Sequence, residues 1–300
     1  MLARLQQSIV FLLLATAFAW AAYFLVHDAG AWAAGGLAVI ILAYAVAIGF
    51  EFWLLDRSYS TQDVNRPTFA QLVSAWWAEV LIAPRVFLWS QPFRSNSISD
   101  FLLPAKPGSR GVVFVHGFVC NRGLWNPWMR RLLEAQVPFV ALTLEPVFGS
   151  IDEYAPRIDE AVSRLEAATG CAPVLVAHSM GGLAARAWLL RLGGRGRFHR
   201  VVTIATPHRG TAMAHHAHTT NGRQMRIGSA WLDALTRAEA PAAHQAFTCF
   251  WSHCDNIVFP TDSATLPGAD NRQLEATPHV RMVYHPKVLV EVLRLVKSEP

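Results

Sequence analysis

Two long apolar stretches open the chain. No Asp, Glu, Lys or Arg occurs between Arg4 and Asp28, or between Asp28 and Glu51. The segments so delimited, Gln7 to Val26 and Ala31 to Leu55, each approach the ~20 residues needed to cross roughly 30 Å of hydrocarbon. Between them HDAG, His27 to Gly30, is a turn too short to form a domain. Trp20, Tyr23 and Trp53 fall near the segment ends, where amphipathic rings favour the membrane interface. The pattern predicts a transmembrane helical hairpin over residues 1–57. A cleaved signal peptide is the rival for the first segment, with MLARLQQ as its charged start and Ala17 to Ala19 as its cleavage site; the second span stands in either case.

Residues 58–105 read as a juxtamembrane segment and linker. From Pro67 to Phe93 the chain is apolar and Trp-rich, but Glu79, Pro84 and Arg85 interrupt it, which predicts a helix lying in the interface or covering the next domain rather than a third span. Pro104 and Pro107 mark a linker, and a second domain is expected over 106–300. There the period switches repeatedly. Short apolar runs at Gly111 to Val115, Pro138 to Leu144, Val174 to Ala177, Val201 to Ala205, Phe247 to Ser252 and Asn271 to Glu275 read as strands. Between them Leu124 to Ala135, Ile151 to Ala168 and Gly181 to Leu192 have helical spacing, as does Pro286 to Val296 at the end. Strands alternating with helices imply right-handed crossovers and a mainly parallel sheet, with chemistry at the strands' carboxyl ends.

Ser179 sits at one such end. In AHSMG, Ala177 to Gly181, small residues stand two before and two after it, as a strained strand-to-helix corner requires. The motif resembles the nucleophile elbow of the α/β-hydrolases, with Ala177 for the first glycine, as in small bacterial lipases and esterases of the Bacillus type. GVVFVHGF, Gly111 to Phe118, is similar to that family's oxyanion loop. On this likeness His116 and Gly117 are the HG pair, and the N–H groups of Phe118 and Met180 face a developing alkoxide. Asp255, just beyond a strand and before Ile257 and Val258, resembles the family's acid, whereas Asp262 and Asp270 read as solvated. For the base, His279 in TPHVRMVYHPKVLVEVL is favoured over His285, whose neighbour Pro286 marks a helix entry. The histidine follows Pro278 where the family commonly has glycine. The order Ser179, Asp255, His279 is the order that fold uses.

Of 300 residues, 53% are hydrophobic, and the mean hydropathy of +0.26 is high for a soluble globule. The formal charge of +5 lies mostly on arginine, with a cluster at Arg191, Arg195, Arg197 and Arg200 that reads as a solvated turn or a touch point for anionic headgroups. Arg4, Arg57 and Arg66 flank the hairpin, and the turn has no Lys or Arg. The positive-inside rule therefore puts both ends and the catalytic domain in the cytoplasm of a bacterial inner membrane. Cys120, Cys171, Cys249 and Cys254 form no compact disulfide framework and suit a reducing compartment. HHAH, His215 to His218, has no acidic or cysteine partner nearby and reads as no metal site, and His208 and His178 read as structural. Gly210 to His244 is either a lid or a surface excursion.

The resemblance implies a membrane-anchored serine hydrolase of carboxylic esters, with a lipid or ester substrate, membrane lipids as neighbours, and neither cofactor nor nucleic-acid partner. An acyltransferase or thioesterase using the same acyl-enzyme, or an inactive membrane scaffold, are the other readings. Oligomeric state is left open.

Overall fold

The computed structural model describes residues 1–297 apart from 61–62, 64–65, 104–108 and 195; the linker prolines Pro104 and Pro107, the boundary at Lys106, and Arg195 lie outside the described residues. Six strands form one sheet: β1 (Val112–Val115), β2 (Phe139–Ala141), β3 (Val174–His178), β4 (Arg200–Ile204), β5 (Phe247–Trp251) and β6 (Asp270–Gln273). Their order is β2-β1-β3-β4-β5-β6 and every pairing is parallel. Such a sheet is covered on both faces, so its strands carry continuous apolar runs rather than alternation.

In β1 the period of two divides the core. Val112 and Phe114 pack on one side with α5 (Asn126–Glu134) and α11 (Pro286–Lys297), through Trp128, Met129 and Val292. Val113 and Val115 face the other side, against Ile158 of α6 (Ala155–Thr169) and Leu183 of α7 (Met180–Arg191). Each expected strand and helix is present within a few residues. The first turns at Arg122–Trp125 and Ile151–Tyr154 are 3₁₀ rather than α, tightened by the Asn121 and Ser150 side-chain caps.

The excursion from Gly210 to His244 carries α8 (Thr220–Gln224) and α9 (Ala230–Ala238) and is fastened to the body by buried polar groups. Asn221 donates to the Val147 carbonyl at 2.8 Å, and the buried Arg186 forks onto Glu239 at 2.8 and 2.7 Å. The described arginines of the basic loop are paired too, Arg191 with Asp152 at 2.7 Å and Arg197 with Asp159 at 2.6 Å. No disulfide joins the four cysteines.

Ahead of the sheet, α1 (Leu2–Val26) and α2 (Gly30–Ser58) form the hairpin, pinned near its tip by Trp20 Nε1 donating to the Trp32 carbonyl at 3.0 Å. Phe11, Phe18, Leu25, Trp32, Val46 and Phe50 stay exposed, an apolar surface far larger than a soluble monomer tolerates. Among the described residues, two helices are long and apolar enough to cross a membrane, Leu2–Val26 and the continuous Phe69–Arg94. The second half of the hairpin joins them if its two pieces, bent by 41° between Ile40 and Leu42, are one span.

The third apolar helix runs unbroken over the expected stretch, and it is long and apolar enough to span where the sequence reading expected an interfacial or covering helix. Pro84 removes a backbone donor, yet the helix does not stop. It widens to π-helical turns over Pro84–Ser90, linking α3 (Phe69–Ala83) to the short α4 (Gln91–Arg94). One side of α3 is exposed, with Phe69, Trp77 and Leu81, while Ala75, Glu79, Val80 and Ile82 are buried.

Candidate active site

The strand ends β1, β3, β5 and β6 deliver the sequence-identified residues to one edge of the molecule. Ser179 follows β3 and starts α7 with φ 53° and ψ −128°, a left-handed value for a residue with a side chain. Holding that conformation costs about 1–3 kcal/mol, which the surroundings must over-determine. They do so by bonding: the Ser179 N–H donates to the Ile204 carbonyl at 2.8 Å, and its own carbonyl accepts the Gly182 N–H at 3.0 Å. Small neighbours complete the corner. A Cβ on Gly181 would lie 2.6 Å from the Val115 carbonyl oxygen and 2.7 Å from that of His116, and one on Gly117 would lie 2.8 Å from the Ser179 Cβ.

Because those obstacles at Gly181 are backbone atoms, Gly181→Ala is expected to lower stability by about 1–3 kcal/mol, the usual cost of overpacking. Thermal unfolding in detergent reads it; an unchanged midpoint would contradict the close approach.

Asp255 is fully buried beyond β5, and its Oδ1 accepts the Ile257 and Val258 N–H groups at 3.0 and 2.9 Å. The same oxygen faces His279 Nδ1 at 2.9 Å, with Oδ2 at 3.2 Å. His279 begins a one-turn helix, α10 (His279–Met282), that sequence spacing did not reveal. Its ring stands 4.7 Å, centre to centre, from that of His178, the residue before Ser179 in the chain. His285, the competing base, accepts the Lys287 N–H at the entry of α11, a helix-start role.

The electrostatics favour one proton-accepting histidine. Burial alone would push His279 down, but the Asp255 carboxylate, with Glu79 and Glu51 behind it, outweighs burial and holds the imidazole above its ordinary value. His178 goes the other way, pushed well below it by burial and by the positive charge His279 can carry. His116 is buried and pushed down to about 4 by that burial, hence neutral. Its Nε2 accepts the Leu144 N–H at 2.9 Å, so Nδ1 holds the proton and donates to the Gly117 carbonyl at 2.8 Å. That pins the loop after β1 to the exit of β2, a function the HG spacing alone does not disclose.

Among the described residues, no protein acceptor takes the N–H of Phe118 or of Met180. The Met180 group is one of the unpaired donors at the start of α7, aligned with its dipole. Behind this loop Asn121 is held by Gln91, donating its N–H to Oε1 at 2.9 Å and its amide to the carbonyl at 3.0 Å. Gln6, buried at the start of α1, reaches Gln91 Oε1 at 3.4 Å and the Val119 carbonyl at 3.5 Å. His208 is buried with Nε2 against Thr203 Oγ1 at 3.0 Å, in the core rather than at the strand ends.

Three residues near the site were not singled out from sequence as functional. Glu79 of α3 accepts the Val280 and Arg281 N–H groups at 2.9 and 3.2 Å. Glu51 of α2 accepts from Asn256 Nδ2 at 2.6 Å, and Asn256 Oδ1 takes the His279 N–H at 3.2 Å. The available signal was a lone carboxylate in an apolar run, expensive to bury unless satisfied.

Residues 112–290 match the model described as the Alpha/beta hydrolase family. No curated protein matches the chain. Among solved structures, it is similar to a Bacillus licheniformis lipase in mature form, with TM-score 0.57 and 16% identity over 64% of this chain and 95% of that one. It is also similar to Aspergillus fumigatus lipase B, with TM-score 0.56 and 16% identity over 66% of this chain and 56% of that one. At such identities the likeness is one of fold.

Proposed function

Since the chain belongs to the alpha/beta hydrolase family, we propose that it is a membrane-anchored serine hydrolase that cleaves carboxylic esters of lipidic substrates through an acyl-enzyme on Ser179. The observation that carries this reading is the buried Asp255–His279 pair, 2.9 Å apart, with the His279 ring 4.7 Å from that of His178, the residue before a serine in strained left-handed backbone. On this reading His279 takes the Ser179 proton as Oγ attacks the ester carbonyl carbon. The oxyanion points at the Phe118 and Met180 N–H groups, each such donor being worth about 3–4 kcal/mol to the transition state. His279 then hands its proton to the departing alkoxide, and water, deprotonated by the same nitrogen, releases the carboxylic acid. Asp255 keeps the proton-bearing Nδ1 turned inward and stabilises the imidazolium.

The lipidic substrate is supported by the exposed apolar hairpin, which fixes the site beside a bilayer. The division into anchor (1–57), juxtamembrane segment (58–105) and catalytic domain (106–300), with a cytoplasmic site, belongs to the same proposal and rests on Arg4 and Arg57 bracketing the hairpin. Hydrolysis of p-nitrophenyl esters of increasing chain length by detergent-purified protein tests it. Turnover that strengthens with chain length is expected; no turnover of any ester by folded protein would overturn it.

The pH dependence has a definite sign. His279 must be neutral to accept a proton, so kcat/KM falls as pH drops through its pKa, and that pKa is raised above 6.5 by Asp255, Glu79 and Glu51 against the opposing effect of burial. The acid limb is therefore expected to have its midpoint above 6.5. A midpoint at or below that value would mean that another group titrates or that the carboxylates do not act on His279.

A further inference from the structure

The hydrolase fold supplies His279 with one carboxylate, yet three converge on its loop, and two of them come from outside the region that matches the family. Glu79 is 3% exposed and makes a pair of bonds to the first free N–H groups of α10, those of Val280 and Arg281. A carboxylate suits this place because each of its oxygens takes one N–H that the single turn leaves without an internal partner. Here Pro278 precedes the helix and offers no side-chain cap, so Glu79 does the capping from another element. Glu51 works one step further back: it fixes the Asn256 amide, whose oxygen holds the His279 N–H, and Asn256 follows Asp255 in the chain.

Both carboxylates stand on helices braced against each other and against the acid loop. Trp76 Nε1 donates to the Ala45 carbonyl at 2.9 Å, and the Tyr44 hydroxyl to the Val80 carbonyl at 3.0 Å. Phe52, Leu55 and Ala75 share a core cluster with Cys254 and Phe259, on either side of Asp255.

We propose that Glu79 is the positioning residue for His279, fixing the α10 backbone from which the imidazole projects, and that Glu51 completes the hold through Asn256, so that the juxtamembrane helix α3 and the anchor helix α2 are a working part of the hydrolytic site. This rests on the reading of His279 as the general base. The groups facing that imidazole are Asp255 and His178 from the sheet side and Glu79 and Glu51 from the anchor side.

The test compares full-length wild type, Glu79→Gln, Glu79→Asp and Glu51→Gln in detergent, with rates expressed per site titrated by a fluorophosphonate so that unfolded protein does not count. In Glu79→Gln the amide oxygen keeps one N–H partner, while the NH₂ opposes the other and the charge is gone. We expect kcat to fall by about 10²-fold, the cost of an ångström-scale misplacement, with KM little changed. The acid limb of kcat/KM moves to lower pH by the share of charge Glu79 carries, which is partial because burial raises that carboxyl to about 7. Glu79→Asp, which keeps the charge but withdraws it, restores the acid limb while kcat stays depressed. Glu51→Gln shifts both readouts in the same directions by less.

Unchanged kcat per titrated site and an unchanged acid limb in Glu79→Gln would overturn the proposal; should that variant yield no folded protein, the same null results in Glu79→Asp and Glu51→Gln would overturn it. Failure of the underlying reading is distinguishable, since wild type would then not label at Ser179, or His279→Ala would label and turn over as fast as wild type.

Discussion

Ser179→Ala is expected to lower ester hydrolysis by about 10⁶-fold, the loss seen when a triad nucleophile is removed and only binding and the oxyanion donors are left. The change deletes one oxygen at a corner that is 7% exposed, and alanine can still be held by the Ile204 and Gly182 backbone bonds that fix the turn. Thermal stability should therefore hold while turnover vanishes, and fluorophosphonate labelling should vanish with it. Residual activity within tenfold of wild type would show that a different residue carries the acyl group.

The second large effect is expected at Asp255→Asn, about 10⁴-fold in kcat. The reasoning turns on which atom faces which donor. Asp255 Oδ1 satisfies the Ile257 and Val258 N–H groups as well as His279 Nδ1. In the asparagine variant the amide oxygen can keep the two backbone bonds, so the loop survives. Its NH₂ takes the place of Oδ2, 3.2 Å from Nδ1, and competes with the amide oxygen for that nitrogen; wherever the NH₂ donates, the imidazole proton sits on Nε2, which then cannot take one from Ser179. With the carboxylate gone, the imidazole also loses the main influence that outweighs burial, and the remaining activity titrates at lower pH. A modest loss, tenfold or less, would indicate that Asp255 serves the loop alone.

The sheet was readable because parallel strands are buried on both faces and so appear as unbroken apolar runs such as Val112 to Val115. The corner at Ser179 was readable for a steric reason, since the close approach of the Val115 and His116 carbonyls leaves room only for glycine at 181. What escaped were features set by contacts between distant parts of the chain. One turn of helix at His279–Met282 has no periodicity to detect. Pro84 reads as an interruption of the apolar stretch, and the π-helical turns that carry the helix past it to Arg94 leave no sequence signal. Glu79 reads as a break in an apolar stretch, whereas its two acceptor bonds lie some two hundred residues ahead. The family likeness covers 112–290 and could say nothing of 1–111, where Gln6, Glu51 and Glu79 are found.

The Gln6 contact bears on how the protein is made. The Asn121 amide reaches Gln6 Oε1 at 3.4 Å across a separation of 115 residues, and the Asn256 and Val280 contacts with Glu51 and Glu79 span 205 and 201. The hairpin precedes every one of these partners in the chain. Contacts so far apart in sequence form late, after the chain between them has lost its freedom. Forming the helices and seating them are thus separate events: the pair acquires its final packing against the hydrolase domain only when the last strand and the His279 turn are in place.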